Sequence, residues 1–156
     1  MNNEFSHFDD AMATELKQVK MFSHPDLPNG IGLIELYFLG GAVFVGIEDE
    51  YDTLLCSRTR SDSYDLYTFP CASSFWNSIV GRSLVGAWYM SNDRGYADAI
   101  QLRFRELPND GPYTIIQLYG EASQITLSEL KEVREASIRR MRKTKWPEES
   151  GSAVPA

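Results

Sequence analysis

The chain has 156 residues, 43% of them hydrophobic and 24% charged, with a net charge of -7. That length suits one domain around one ordinary core, and the composition argues against a disordered chain. No apolar run approaches the roughly 18 residues that span a bilayer, and the polar Met1–Asp10 segment lacks the basic-then-apolar pattern of a signal peptide, so the expected location is the cytoplasm and not a membrane.

The charge is unevenly placed. Residues 1–127 carry 17 acidic and 8 basic side chains, whereas residues 128–145 carry 3 acidic and 7 basic ones. An acidic body repels nucleic-acid backbones and attracts basic proteins, so the expected partner is a basic protein and not a nucleic acid.

Phe8, Met12, Leu16 and Val19 recur at helical spacing, with Asp9 and Asp10 near the start and Lys17 and Lys20 near the end, which predicts an amphipathic helix over 8–20. His24 to Gly30 holds two prolines, an asparagine and a glycine and reads as a loop. Ile31–Phe38 is β-branched and aromatic, Gly40-Gly41 signals a turn, and Ala42–Ile47 alternates, which together predict a hairpin. An acidic turn, Glu48-Asp49-Glu50-Tyr51-Asp52, leads into a third strand at Thr53–Ser57. Residues 58–74 lack periodicity and read as the longest loop, with a short helix at Ser74–Val80.

Leu84–Met90 is apolar throughout and Ala99–Arg105 alternates, so Ile100, Leu102 and Phe104 are expected in the core and Gln101, Arg103 and Arg105 on a wet face. Another strand is expected at Tyr113–Tyr119, and a short edge at Gln124–Thr126. Thr126-Leu127-Ser128-Glu129 matches a capping box, which predicts a helix of about five turns reaching Lys143. These elements predict an α+β fold: an antiparallel sheet of about five to seven strands with N-terminal and C-terminal helices packed on one face. Residues 1–146 form the single expected domain and 147–156 a flexible tail.

The searchable catalytic motifs are absent, and His7 and His24 stand in no catalytic spacing. Cys56 and Cys71 lack CxxC spacing and a nearby histidine, so both are expected to be free thiols without zinc. No cofactor is expected. The acidic turn, Glu48, Asp49, Glu50 and Asp52, lacks the ligand spacing of a calcium loop and is a candidate docking patch, since a basic partner relieves the repulsion between its carboxylates. The second candidate gathers planar, cationic and anionic groups around one turn: Trp88, Asn92, Asp93, Arg94, Tyr96 and Asp98. Much of that string is also what a hairpin turn requires. The basic residues Arg134, Arg139, Arg140, Arg142, Lys143 and Lys145 suit the last turns of a helix as well as they suit an anion.

An aromatic strand followed by Asn-x-x-Gly-Tyr-x-Asp and an alternating strand, as in Trp88 to Phe104, resembles a hairpin of small bacterial proteins in an uncharacterised domain family, over about residues 80–120. That resemblance implies a bacterial source and no particular chemistry. The reading that follows is a non-catalytic protein-binding module, immunity-type or regulatory, using its acidic surface. The alternative is a small-ligand or enzyme domain using the sheet face or the Asn92–Asp98 turn, with Asp93 or Asp98 as the local candidate base.

Overall fold

Alternation and tight turns organise this chain almost from end to end. The computed structural model describes residues 6–48, 50–60, 68–71, 74–95, 97–108 and 111–133. A one-turn helix, α1 (Ser6–Asp9), precedes nine strands. β1 (Leu16–His24), β2 (Leu27–Phe38), β3 (Gly41–Glu48), β4 (Thr53–Ser57) and β5 (Thr68–Cys71) form an antiparallel sheet in the order β4-β3-β2-β1-β5. β6 (Ser83–Ser91), β7 (Ala97–Arg105), β8 (Tyr113–Glu121) and β9 (Gln124–Val133) form a second sheet in chain order. A 3-10 helix at Ser74–Ser78 lies between them in sequence and buries Trp76, whose Nε1–H points at Met21 Sδ 3.4 Å away.

The two sheets curve into a half-barrel around one apolar core. Inward residues of the first sheet (Ile34, Leu36, Phe38, Val43, Val45) meet those of the second (Leu84, Ile100, Leu102, Phe104, Ile116, Leu118). Phe38 and Phe104 stack across the interior, ring centroids 6.5 Å apart. The sheets are joined where β1 and β6 begin: Glu15 bridges Ser83, Leu16 N–H donates to the Arg82 carbonyl at 2.9 Å, and Leu84 N–H donates to the Thr14 carbonyl at 3.0 Å.

The α+β expectation is wrong. Among the described residues there is no helix of seven or more residues, and nine strands in two sheets replace one sheet of five to seven. The helix expected over 8–20 is α1, a turn, and then β1. Ala13, at φ 58°, holds the left-handed conformation that ends helical backbone. The apparent helical spacing has a different origin. Phe8 is buried from α1, and a bulge between Leu16 and Gln18 shifts the strand's parity, so Leu16 and then Val19 and Met21 face the core. The loop expected at His24–Gly30 shrinks to Pro25-Asp26, and buried His24 caps it by accepting the Asp26 N–H on Nδ1 at 3.1 Å.

The C-terminal helix is also wrong as far as residue 133. Thr126 and Glu129 lie in β9, where Ile125 and Leu127 pack on the core by alternation. Ala122 and Ser123 both have positive φ, the geometry of a tight hairpin turn, which returns the chain beside β8. The ladder of β9 against β8 outcompetes one local cap. The remainder of the expected helix, its basic residues from Arg134 onward and the 147–156 tail lie outside the described residues.

The strand at Thr53–Ser57 and the hairpins β2–β3 and β6–β7 stand where the sequence places them, and Ile100, Leu102 and Phe104 are fully buried. No described helix is long and apolar enough to cross a membrane. Two substitutions separate this architecture from the helical alternative. Leu102→Ala should lower stability by about 2–5 kcal/mol, because it empties a fully buried site. Thr126→Ala should change it by no more than about 0.5 kcal/mol, because Thr126 is an exposed strand residue and not an N-cap. Urea midpoints measure both, and a Thr126→Ala loss as large as that of Leu102→Ala would refute the strand.

Candidate functional site

The β3–β4 turn and the β6–β7 turn are far apart in sequence, yet both reach one cleft. Its volume is about 460 Å³. The edge strand β4 forms one wall through Thr53–Cys56, and Tyr89 and Ser91 at the end of β6 form the other. Glu48 and Tyr51 stand at one rim, Gly95 at the second, and His7 reaches in from α1.

The acidic turn divides by role. Glu48 and Glu50 are exposed, and the hydrogen bond from Tyr51 to Glu50 is the main cause holding the Tyr51 phenol above its ordinary value, reinforced by slight burial and by the charge of Glu48. Asp52 is turned away from the cleft. Its Oδ1 accepts the Ser123 N–H at 2.7 Å and its Oδ2 accepts the Ala122 N–H at 3.2 Å, which clamps the β3–β4 turn of one sheet to the β8–β9 turn of the other. Gly120 completes this clamp, because a Cβ there would collide with the Asp52 carbonyl oxygen. Asp49 lies outside the described residues.

The second string divides in the same way. Trp88 points out of the core on β6, and its Nε1–H donates to Gln101 Oε1 at 2.8 Å, while Gln101 Nε2 donates to Gln117 Oε1 at 2.8 Å. Asn92 is turn chemistry: its Oδ1 accepts the Arg94 N–H at 2.9 Å, its carbonyl accepts the Gly95 N–H at 3.0 Å, and Gly95 takes φ 83°. Asp93 and Arg94 are exposed at the turn beside the cleft, and Asp98 is half-buried on β7. Tyr96 lies outside the described residues. The structure therefore places Glu48 in the lining of the cleft and Asp93 and Arg94 on the turn that contributes Gly95 to it, while Asp52, Trp88 and Asn92 are hydrogen-bonded within the fold.

Sequence reasoning missed Cys56, Tyr89, Ser91 and His7 as cleft residues. Alternation gives a strand its faces but not the element that will lie opposite. Cys56 is a free thiol, and burial pushes it up to about 12 against the smaller opposing effect of its hydrogen bond with Tyr89. It is neutral near pH 7 and poorly nucleophilic there. Among the described residues, no group of three or more His, Cys, Asp or Glu side chains gathers as a metal site.

A second polar arrangement was also missed. Glu35, on β2, is only 1% exposed although its side chain points away from the main core. It sits across the ladder from Lys20 on one side and Phe44 on the other. The signal was available in the strand itself, since Leu33 shares the parity of Glu35 and is as apolar as the inward residues. Tyr37 O–H donates to Glu35 Oε2.

A small all-β half-barrel with a cleft at the edge of one sheet, lined in part by Glu48, is what the fold and this geometry define. The chain belongs to a family of unknown function, DUF6334, whose family model matches residues 1–134. That span is wider than the hairpin at residues 80–120 that carried the resemblance. No curated protein and no solved structure matches it.

Asp52→Ala should cost about 1–3 kcal/mol, because it removes a charged acceptor from two N–H groups and places alanine at a positive φ of 53°. Asp52→Asn, which keeps one carbonyl acceptor and tolerates that backbone, should cost less, and equal urea midpoints for the two variants would dismiss the clamp. A second expectation concerns pH. Burial, then the hydrogen bond to Glu35, then the charge of Glu35 push the Tyr37 phenol up from 10.0 to about 12, with Arg60 opposing. The stability this gives is present in full below pH 10, the unfolded value, and is lost as the pH rises through about 12. Phenolate absorbance should show one tyrosine ionising late, and Glu35→Gln should bring it earlier.

Proposed function

We propose that this chain is a non-catalytic protein-binding module, of regulatory or immunity type, whose cleft, lined by Glu48 and flanked by two carboxylate-bearing turns, receives a basic segment of a partner protein. The observation that carries the reading is the convergence of the Glu48–Glu50 turn and the Asp93 turn on one cleft. Among the described residues, the carboxylates of Glu48, Glu50 and Asp93 do not clamp two backbone N–H groups as that of Asp52 does. Residues 1–127, with 17 acidic against 8 basic side chains, add a long-range field that draws such a segment in.

The wall formed by β4 supports the same reading. β4 is the edge of its sheet, so one side of its backbone faces away from β3 and offers N–H and C=O groups to an extended chain. The neutral Cys56 thiol speaks for recognition over covalent chemistry. A small-ligand reading has one observation in its favour: about 460 Å³ falls within the usual size of small-molecule sites.

Fluorescence anisotropy with extended Lys/Arg-rich peptides, and with Asp/Glu-rich peptides of the same length, tests the proposal. Basic peptides should bind, more weakly as salt rises, and the double charge reversal Glu48→Lys with Glu50→Lys should weaken them by about ten-fold or more. Basic and acidic peptides binding alike, or a charge reversal without effect, would reject it. Salt-independent capture of a neutral small molecule in the cleft would favour the second reading.

A further inference from the structure

The outer face of the five-stranded sheet carries a site unrelated to the cleft, two strands in from β4. Phe22, Leu33 and Phe44 pack there as a small apolar cluster separate from the main core. At its centre is Glu35, buried to 1% exposure. Tyr37 O–H occupies Oε2, but Oε1 is buried and has no hydrogen-bond donor among the described residues. An isolated buried carboxylate is costly, and proteins pair such a group.

The pairing found here is loose. Arg60, which follows β4, lays its guanidinium carbon 5.5 Å from the centroid of the Phe22 ring and brings Nε to 3.5 Å from Glu35 Oε1. A close guanidinium–carboxylate pair is about 2.7–2.9 Å long. Arg60 remains 44% exposed along its side chain, so it lies over the patch without being enclosed by it. Lys20, directly opposite Glu35 in the ladder, places its ammonium 5.2 Å from the centroid of the Tyr37 ring. The patch thus combines a carboxylate floor with aromatic walls, the surroundings that suit a planar, weakly hydrated guanidinium better than a compact ammonium.

We propose that this patch is a guanidinium-binding site, occupied in this structure by the chain's own Arg60, and that an arginine side chain presented by a partner protein displaces Arg60 from it. Arg60 acts as a tethered competitor. Its tether prevents the short pair with Oε1 that an incoming guanidinium, free of that restraint, forms. Displacement exchanges one cation for another at Glu35, so the buried charge is never left alone.

The test uses the full chain and N-acetyl-arginine methylamide, which presents the side chain as a peptide does, followed by thermal shift and by NMR of the aromatic rings. Removing the competitor with Arg60→Ala should tighten binding of this probe by about ten-fold if Arg60 is seated roughly nine-tenths of the time. The Phe22 and Tyr37 resonances should move, and the probe should raise the melting temperature of the variant more than that of the wild type. Adding Glu35→Gln to Arg60→Ala should abolish the gain, and the equivalent lysine derivative should bind more weakly. No gain in Arg60→Ala, a gain that survives Glu35→Gln, or equal binding of the lysine derivative would overturn the site. Preference for free arginine over the capped form would overturn a partner chain as the source. Should Arg60→Ala fail to fold, Arg60→Lys, which keeps the charge but not the planar fork, takes its place under the same outcomes. Should the Glu35→Gln variant fail to fold, ring shifts confined to residues other than Phe22, Tyr37 and Phe44 would count against the proposal.

Discussion

Two antiparallel sheets, each with one face that must leave water, have to close on each other, and this requirement fixes everything else in the molecule. Phe38 stacked on Phe104 marks the middle of that closure, and the bridge from Glu15 to Ser83 marks its hinge. Once the inner faces are matched, the turns at the ends of the strands have no freedom of position. The β3–β4 turn falls against the β8–β9 turn, where Asp52 holds both. The β6–β7 turn falls opposite β4, and the gap between them is the cleft.

The same closure separates side chains that sequence alone would group together. Glu48, Glu50 and Asp52 belong to one acidic turn, but only Asp52 lies within reach of two peptide N–H groups that need an acceptor. Its charge is engaged in the fold, whereas the other two are left at the surface. Trp88 and Tyr89 are adjacent, yet the pleat sends Trp88 to a hydrogen bond with Gln101 on the outer face and Tyr89 to the cleft. Residues that attract attention by type are therefore distributed between scaffold and site according to parity and position.

The outer face of the first sheet shows the converse case. Glu35 in an otherwise apolar strand looks like an ordinary solvated position, since its neighbours Ile34 and Leu36 face the core. What alters its character is a set of distant groups: Phe44 from β3, Phe22 from β1 and Arg60 from beyond β4. Their arrival removes water from a carboxylate that its residue type assigns to solvent, although apolar Leu33 at the same parity signals a covered outer face.

Local signals with a period of two were legible from the sequence: the hairpin at β2–β3, the strand at Thr53–Ser57, and the inward triplet Ile100, Leu102 and Phe104. Each depends on side chains a few residues apart that answer to the same face. Signals with a helical period misled in two places, because Phe8, Met12, Leu16 and Val19 imitate a helix by combining a short turn with a bulged strand, and because Thr126 to Glu129 has the residues of a cap but pairs with β8 as a strand. Propensity and capping contribute about a kilocalorie each, whereas a strand beside β8 gains a whole ladder of hydrogen bonds and a share of the core. The sequence by itself determined the acidic body, the turn residues and the alternating faces, since those are properties of neighbouring residues. Tertiary structure alone decided that residues 124–133 are a strand, that the β3–β4 and β6–β7 turns share one cleft, and that Glu35 and Arg60 meet, because each of these depends on which distant surfaces the common core brings into contact.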